Sequence, residues 1–354
     1  MENVSKLDFC GQPIYVGLDV HKKSWSVSIL TEQSEHKTFT QPPDVAVLMN
    51  YLHRNFPGAS YQTVYEAGFC GFWIHDQLLA SGAQCLVVNP ADIPTSDKEK
   101  RRKTNRVDCR KLANRLRNRE LIGIYVPPRE RTEDRHLLRT RHGIMRKQTR
   151  CKNQIKAILA FYGVEIREDL THWSRSFVTW IEQLALTSTS GNVTLKIHLA
   201  ELLYLRDLLT QLNREIRKLS ITDAYRDNVA ILKTVPGIGT LAAMILLTEL
   251  HTITRFKSLD HLCGYVGLVP DTSSSGDQEV ITGITRRRNP ILRATLIEAA
   301  WVAIRKDPAL MVAFTGYTKR MKKSKAIVKI ARKLLNRIRF VLKNKEAYVP
   351  AVVR

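Results

Sequence analysis

Pro13-Ile14-Tyr15-Val16-Gly17-Leu18-Asp19-Val20 is an apolar run carrying one glycine and one acid. Such a run predicts a buried strand. His21-Lys22-Lys23 turns the chain, and Trp25, Val27 and Ile29 then alternate with serines, the pattern of a half-buried second strand. Glu35 to Thr40 supplies a third strand. Asp44 can cap a helix bearing Val45, Leu48, Met49 and Leu52 on one face. Tyr61 to Glu66 reads as a fourth strand, Gly71 to Ser81 as a helix, and Gln84 to Val88 as a fifth strand closed by Asn89-Pro90.

Three strands, a helix, a strand, a helix and a strand make an α/β layout with an opening meander, the ribonuclease H-like order. In such a sheet the first and fourth strands are neighbours, so Asp19 and Glu66 can converge. Paired carboxylates there suit Mg²⁺, which takes hard oxygen ligands. Each acid has a plainer alternative: Asp19 bonded to a turn, Glu66 on the surface. A third acid comes from Lys103-Thr104-Asn105-Arg106-Val107-Asp108. Thr104 can cap a helix over 105–119 with Asp108, Leu112 and Arg115 on roughly one face. A salt bridge from Asp108 to Lys111 or Arg115 is its plainer alternative.

The net charge is +23, and it is concentrated. Residues 98–154 hold 20 basic and 6 acidic side chains, and residues 286–354 hold 19 and 3. Charge segregated in this way implies a polyanionic partner, with nucleic acid the simplest. The six cysteines include no C-x-x-C pair, which argues against a zinc ribbon or finger. No signal peptide or membrane-length apolar run is present, so a cytoplasmic protein with reduced thiols is expected.

Residues 131–219 lack proline and repeat apolar residues at helical spacing, as in Leu137, Leu138, Ile144, Ile155 and Ile158, and again from Leu195 to Leu219. Two long helices around a shorter piece at Trp173 to Leu186 are expected, forming a hairpin that links and oligomerises. Residues 228–250 read helix, Pro236-Gly237-Ile238-Gly239, helix. This is a helix-hairpin-helix, whose Gly237 and Gly239 let backbone amides approach a phosphate. Its alternative is a tight corner in a core. The aliphatic run ending at Pro270 then leads into Asp271-Thr272-Ser273-Ser274-Ser275-Gly276, expected as a flexible loop, with Arg286-Arg287-Arg288 following. A hydroxyl nucleophile acting on phosphate needs such exposure and such cations. A solvated turn is the alternative. Pro290 to Lys306 is an amphipathic helix, Pro308 a break, and Lys319 to Lys345 a basic helical tail.

These motifs together are similar to one family. Val16-Gly17-Leu18-Asp19-Val20-His21-Lys22, Tyr65-Glu66-Ala67-Gly68, Val88-Asn89-Pro90, Lys103-Thr104 through Asp108, Pro236-Gly237-Ile238-Gly239, Gly267-Leu268-Val269-Pro270 and Ser275-Gly276 occur in its order. The chain resembles, over nearly its whole length, the DEDD-type insertion-sequence transposases. These are bridge-RNA-guided serine recombinases related to pilin-gene invertases. The resemblance implies a RuvC-like acidic domain over 10–125 and a helical coiled-coil linker over 126–222. It implies a C-terminal transposase domain over 223–354, with helix-hairpin-helix, serine loop and basic tail. It makes Asp19, Glu66 and Asp108 the acidic Mg²⁺ site. The family's other helix acid falls at Asn105, which offers a carbonyl oxygen but no charge. The serine before the glycine is Ser275, and a one-residue slip within the run makes it Ser274. Lys103, Arg106, Arg110, Gly237, Gly239, Arg286, Arg287 and Arg288 are the expected nucleic-acid contacts. The implied partners are donor and target DNA, a noncoding RNA of the element, and copies of the chain in a tetramer. The implied location is the nucleoid of a prokaryotic cytoplasm, with no membrane.

Two rival readings keep fewer parts. A RuvC-like structure-selective nuclease would use the acids alone, and a non-catalytic nucleic-acid-binding protein would use neither acids nor serine. A sugar-kinase-like ATPase shares the first-strand Gly-x-Asp but needs a Gly/Thr phosphate loop, where this chain has His21-Lys22-Lys23.

Overall fold

The computed structural model describes residues 9–94, 105–170, 173–275 and 278–350. The chain divides into two compact units, Met1–Arg129 and Glu130–Arg354.

The first unit is a three-layer α/β domain. Strands β1 (Pro13–Val20), β2 (Trp25–Leu30), β3 (Glu35–Gln41), β4 (Ser60–Glu66) and β5 (Gln84–Val88) form one sheet in the order β3-β2-β1-β4-β5. The first three form an antiparallel meander, and β4 and β5 run parallel to β1. Central β1 is buried on both faces, so its residues sort by parity. Ile14, Val16 and Leu18 pack under helices α1 (Val45–Asn55) and α2 (Trp73–Ala80), with Leu48, Leu52, Ile74 and Leu78. Asp44 caps α1 by accepting from Ala46 N at 2.7 Å. Tyr15 and Gly17 face helix α3 (Asn105–Arg117), whose Ala113 packs on Tyr15 and Leu30. Leu112 packs on Val64 and Val88.

The second unit is mostly helical. Helices α4 (Arg129–Phe161) and α6 (Thr189–Ser220) form a long arm, with α5 (Arg175–Gln183) between them. At about 1.5 Å per residue, each long helix extends roughly 50 Å. Cys151, Ile155, Leu159, Phe177, Ile181, Leu195, Leu199 and Leu202 form a separate core along the arm. The arm's base, through Leu138 and Ile216, joins the main core of this unit. The arm over 126–222 is therefore not set apart as its own compact unit. Helices α7 (Arg226–Leu232), α8 (Thr240–Leu250), α9 (Leu259–Val266), α10 (Pro290–Lys306), α11 (Pro308–Thr318) and α12 (Lys323–Asn344) build the rest of that core.

One sequence expectation changes here and two hold. The serine run is not a loop: β6 (Pro270–Ser275) pairs antiparallel with β7 (Gln278–Ile284). Pro308 breaks the chain as expected, between α10 and α11. It occupies the first turn of α11, where its missing N–H costs nothing, and Asp307 caps that turn by accepting from Leu310 N at 2.9 Å. The basic tail is the helix expected, and its apolar face of Ile327, Ile330, Leu334, Leu335, Ile338 and Val341 on α12 is buried in the core. Among the described residues no helix is long and apolar enough to cross a membrane.

Candidate active site and nucleic-acid interface

The parity of β1 places Asp19 on the α3 face, two residues beyond Gly17. On β4, Val64 packs against Leu112 of α3, which puts Glu66 on that face too. Gly17 pairs with Val64 and Leu18 with Tyr65, so Asp19 and Glu66 come next on adjacent parallel strands. Such strands lie about 4.8 Å apart. Helix α3 runs against β1: Cys109 and Ala113 sit over Gly17, and Ala113 also reaches Tyr15. Its first turn, with Asp108, therefore lies toward the Asp19–Glu66 end of the sheet. Gly17 makes this possible, since a Cβ there would stand 2.0 Å from the Cys109 carbonyl oxygen. Burial, and then the negative charge of Asp19, push the Cys109 thiol up to about 11. That effect follows from the place of Asp19 beside the helix.

The three acids share one sheet end but do not form a closed cage. Among the described residues, the group of three His, Cys, Asp or Glu side chains with ligand atoms within 4.8 Å of one another is Cys151, His198 and Glu201. Asp19, Glu66 and Asp108 are farther apart than that. Their donors are nonetheless all carboxylate oxygens, the set a hard divalent cation prefers. Asn105 opens α3, with its side chain outside the described part, and Lys103 lies outside it altogether. Arg106 and Arg110 are exposed, and Arg110 is held 2.9 Å from Glu35 on β3. Arg115 pairs with Glu120.

Sequence reasoning missed the neighbourhood of Asp19. His21 Nδ1 stands 3.4 Å from Asp19 Oδ1. A shallow cleft opens there, lined by His21, Lys22, Pro43, Phe69 and Trp73. Phe69 is 66% and Trp73 43% exposed, which is enough ring area to stack a base. The signal in the sequence was Phe69 three residues after Glu66, and His21 two after Asp19.

In the second unit, Ser275 ends β6 opposite Gln278 of β7, and Ser274 pairs with Glu279. Their side chains, with the rest of 272–282, lie outside the described part. Arg286, Arg287 and Arg288 follow β7 and are exposed. Their segment is pinned on two sides. Arg293, buried in α10, donates to the Thr285 carbonyl at 2.5 Å, and Asn289 N donates to Tyr265 O at 3.3 Å.

The two glycines of Pro236-Gly237-Ile238-Gly239 separate into two roles. Gly237 has φ of +86°, and a Cβ would meet the Ala299 carbonyl oxygen of α10 at 2.2 Å. Its glycine requirement is thus met by packing, the tight-corner alternative. Gly239 has open space around it, caps α8, and borders a cleft with Lys233 and Lys306. Gly237→Ala is expected to cost about 2–4 kcal/mol, from a left-handed backbone and a backbone clash. Gly239→Ala is expected to cost under about 1 kcal/mol. Thermal melts of the two variants check the contrast.

Comparison with known proteins agrees with this layout. A transposase model of the DEDD, IS110 type matches residues 16–164, and the model of the transposase IS116/IS110/IS902 family matches residues 229–316. A putative transposase of Sinorhizobium fredii is 29% identical over 91% of this chain and 90% of its own length. The transposase for insertion sequence element IS1533 of Leptospira borgpetersenii is 24% identical over 81% and 84%. The pilin gene-inverting protein of Moraxella bovis is 30% identical over 36% and 41%. The protein is a DNA transposase or recombinase. It belongs to the IS110/IS116 family of DEDD transposases.

Proposed function

We propose that this transposase exchanges DNA strands through a serine nucleophile working with the acidic sheet end, and that an RNA of its element selects the DNA partners. The observation that carries the acidic half is the adjacency of Asp19 and Glu66 on β1 and β4, beneath the first turn of α3. That geometry also supports a ribonuclease H-like, RuvC-like reading of the first unit. Asp19, Glu66 and Asp108 would hold Mg²⁺, which would supply positive charge against the scissile phosphate. Ser275 Oγ attacks phosphorus and gives up its proton. The P–O3′ bond breaks, the departing 3′ oxygen takes a proton, and the 5′ phosphate stays on the serine. A 3′-hydroxyl of another strand then attacks the phosphoserine and frees Ser275. Arg286, Arg287 and Arg288 offset the charge of the pentavalent state from the next segment of chain. Guide pairing leaves the protein to bind duplex shape and backbone, a task suited to exposed cations such as Arg106 and Lys306. Two acidic and two serine units meeting between copies make a tetramer the working form, acting on the nucleoid.

A covalent trap tests this reading. Protein, Mg²⁺, RNA from the element's flanks and labelled DNA are mixed and denatured, and the adduct is mapped by mass spectrometry. An adduct on Ser275 is expected. Ser275→Ala should lower strand exchange at least about a thousandfold, as loss of a nucleophile does, and Asp19→Ala should abolish the adduct. An adduct on Ser274 moves the nucleophile by one residue. Nicks without an adduct overturn the serine mechanism in favour of a nuclease. Equal exchange without the RNA overturns guidance.

A further inference from the structure

Midway along the arm, far in sequence from either half of the proposed active site, three ligand-type side chains meet. Cys151 projects from α4, and His198 and Glu201 project from α6 at i,i+3 spacing, so the last two share one helix face. One ligand atom from each lies within 4.8 Å of the other two. Cys151 is fully buried and donates its S–H to the His198 carbonyl oxygen at 3.1 Å. His198 Nδ1 is buried without a hydrogen-bond partner, 3.9 Å from Glu201 Oε2. A buried ring nitrogen left without a partner is costly, and a bound ion is one of the few things that account for it. Leu195, Leu199 and Leu202 wall the site on the core side. Glu201 is half exposed, which leaves the outer side open to water.

We propose that Cys151, His198 and Glu201 bind a zinc-class divalent ion that braces α4 to α6. The donor set is one sulfur, one imidazole nitrogen and one carboxylate oxygen, which suits Zn²⁺ or Co²⁺ and not Mg²⁺. Thiolate and carboxylate together balance the ion's two charges, which matters beside an apolar wall. The Cys151 proton leaves to solvent when the ion binds. Metal–ligand bonds of about 2.0–2.3 Å imply ligand-atom separations of roughly 3.3–3.5 Å. The observed 3.9 Å between His198 and Glu201 therefore needs to close by only about half an ångström, within side-chain rotation. Water takes the fourth position. The brace would tie α4 to α6 beside the core they share with α5, and it is independent of any metal at the acidic end.

The test measures bound metal in the purified full-length chain. Protein made in zinc-supplemented medium and dialysed is expected to carry about one zinc per chain by mass spectrometry of the elements. Glu201→Gln, a half-exposed change that leaves packing alone, should lower zinc affinity at least about tenfold, and Cys151→Ser should remove the zinc. Asp19→Asn should retain it, which separates this ion from any at the acidic end. Co²⁺ exchanged into the wild type should give a thiolate-to-cobalt charge-transfer band that Cys151→Ser lacks. Folding of each variant is followed by circular dichroism. Substoichiometric zinc together with no cobalt band overturns the proposal, as does zinc retained by both Cys151→Ser and Glu201→Gln.

Discussion

Gly17→Ala is expected to lower the melting temperature of the first unit by roughly 10 °C or more and to abolish strand transfer. The new methyl would stand 2.0 Å from Cys109 O and 2.5 Å from Ala113 N, both backbone atoms of α3. A side chain could rotate aside, but two backbone atoms of one helix cannot, so the whole helix must withdraw from β1. Overpacking costs about 1–3 kcal/mol where a core can adjust, and this site belongs at or above the top of that range. About 3 kcal/mol in a domain of this size corresponds to the stated shift. The functional loss exceeds the stability loss. On the proposed function, withdrawal carries Asp108 away from Asp19 and Glu66, and a displacement of about 1 Å at a reacting centre can cost a hundredfold. Below the melting point the variant should still be folded, with its sheet signal intact, while excision falls by at least about a hundredfold. Thermal melts and an excision assay read the two effects. A melt unchanged from wild type would mean that α3 does not seat on Gly17.

The sheet was legible because its strands are short apolar runs with clear breakers between them. Once their order is read, the adjacency of β1 and β4 follows, and so does the pairing of Asp19 with Glu66. The close seating of α3 was not legible. Nothing in Val16-Gly17-Leu18 states that the glycine answers a helix whose sequence lies about ninety residues away. The serine run misled because Ser, Thr and Asp carry turn propensity. Its partner segment Gln278–Ile284 supplies the alternation in Val280, Thr282 and Ile284, and pairing overrides local preference. The cue was Gly276-Asp277 between two runs of similar length. Pro308 was legible as a break between helices, but not as the start of α11. Proline ends helices and also begins them, and Asp307 directly before it was the deciding cap. In the arm, helical periodicity gave α4 and α6 correctly. It could not show that Cys151 and His198 share one level of the pair, because that depends on the register between the helices.

Arg139→Ala is expected to destabilise the second unit by about 5 kcal/mol, more than Glu249→Gln does. Glu249 lies in α8 with its side chain 1% exposed. It accepts from Arg139 Nε at 2.7 Å and Nη2 at 2.8 Å, and from Asn289 Nδ2 at 2.8 Å. The Tyr265 hydroxyl donates to its backbone oxygen at 3.1 Å. The two partners of this ion pair differ in access to water. Arg139 is 44% exposed and can be hydrated when its partner is lost. Glu249 cannot, so removing the arginine leaves a buried carboxylate with one amide donor and only the neighbouring Arg135 guanidinium to offset its charge. Breaking a buried pair costs about 3–5 kcal/mol, with Arg139→Ala at the upper end and Glu249→Gln at the lower. At roughly 2–4 °C per kcal/mol for a unit of this size, Arg139→Ala lowers the melting temperature by roughly 10–20 °C. The double variant Arg139→Ala/Glu249→Gln is expected to be more stable than Arg139→Ala alone, because it removes the stranded charge. A double-mutant cycle measured by thermal melts decides this, and a double variant weaker than both singles would show that the contact acts through packing. The network also reaches the proposed DNA-facing segment. Asn289 caps α10 through Leu292 N at 3.1 Å and directly follows Arg286, Arg287 and Arg288. Loss of its carboxylate partner frees the end of that segment. Glu249→Gln should therefore bind DNA more weakly at temperatures where it remains folded, while Arg139→Ala, which keeps the bond between Asn289 and Glu249, should bind as the wild type does; an equal loss in both would show that the defect does not run through Asn289.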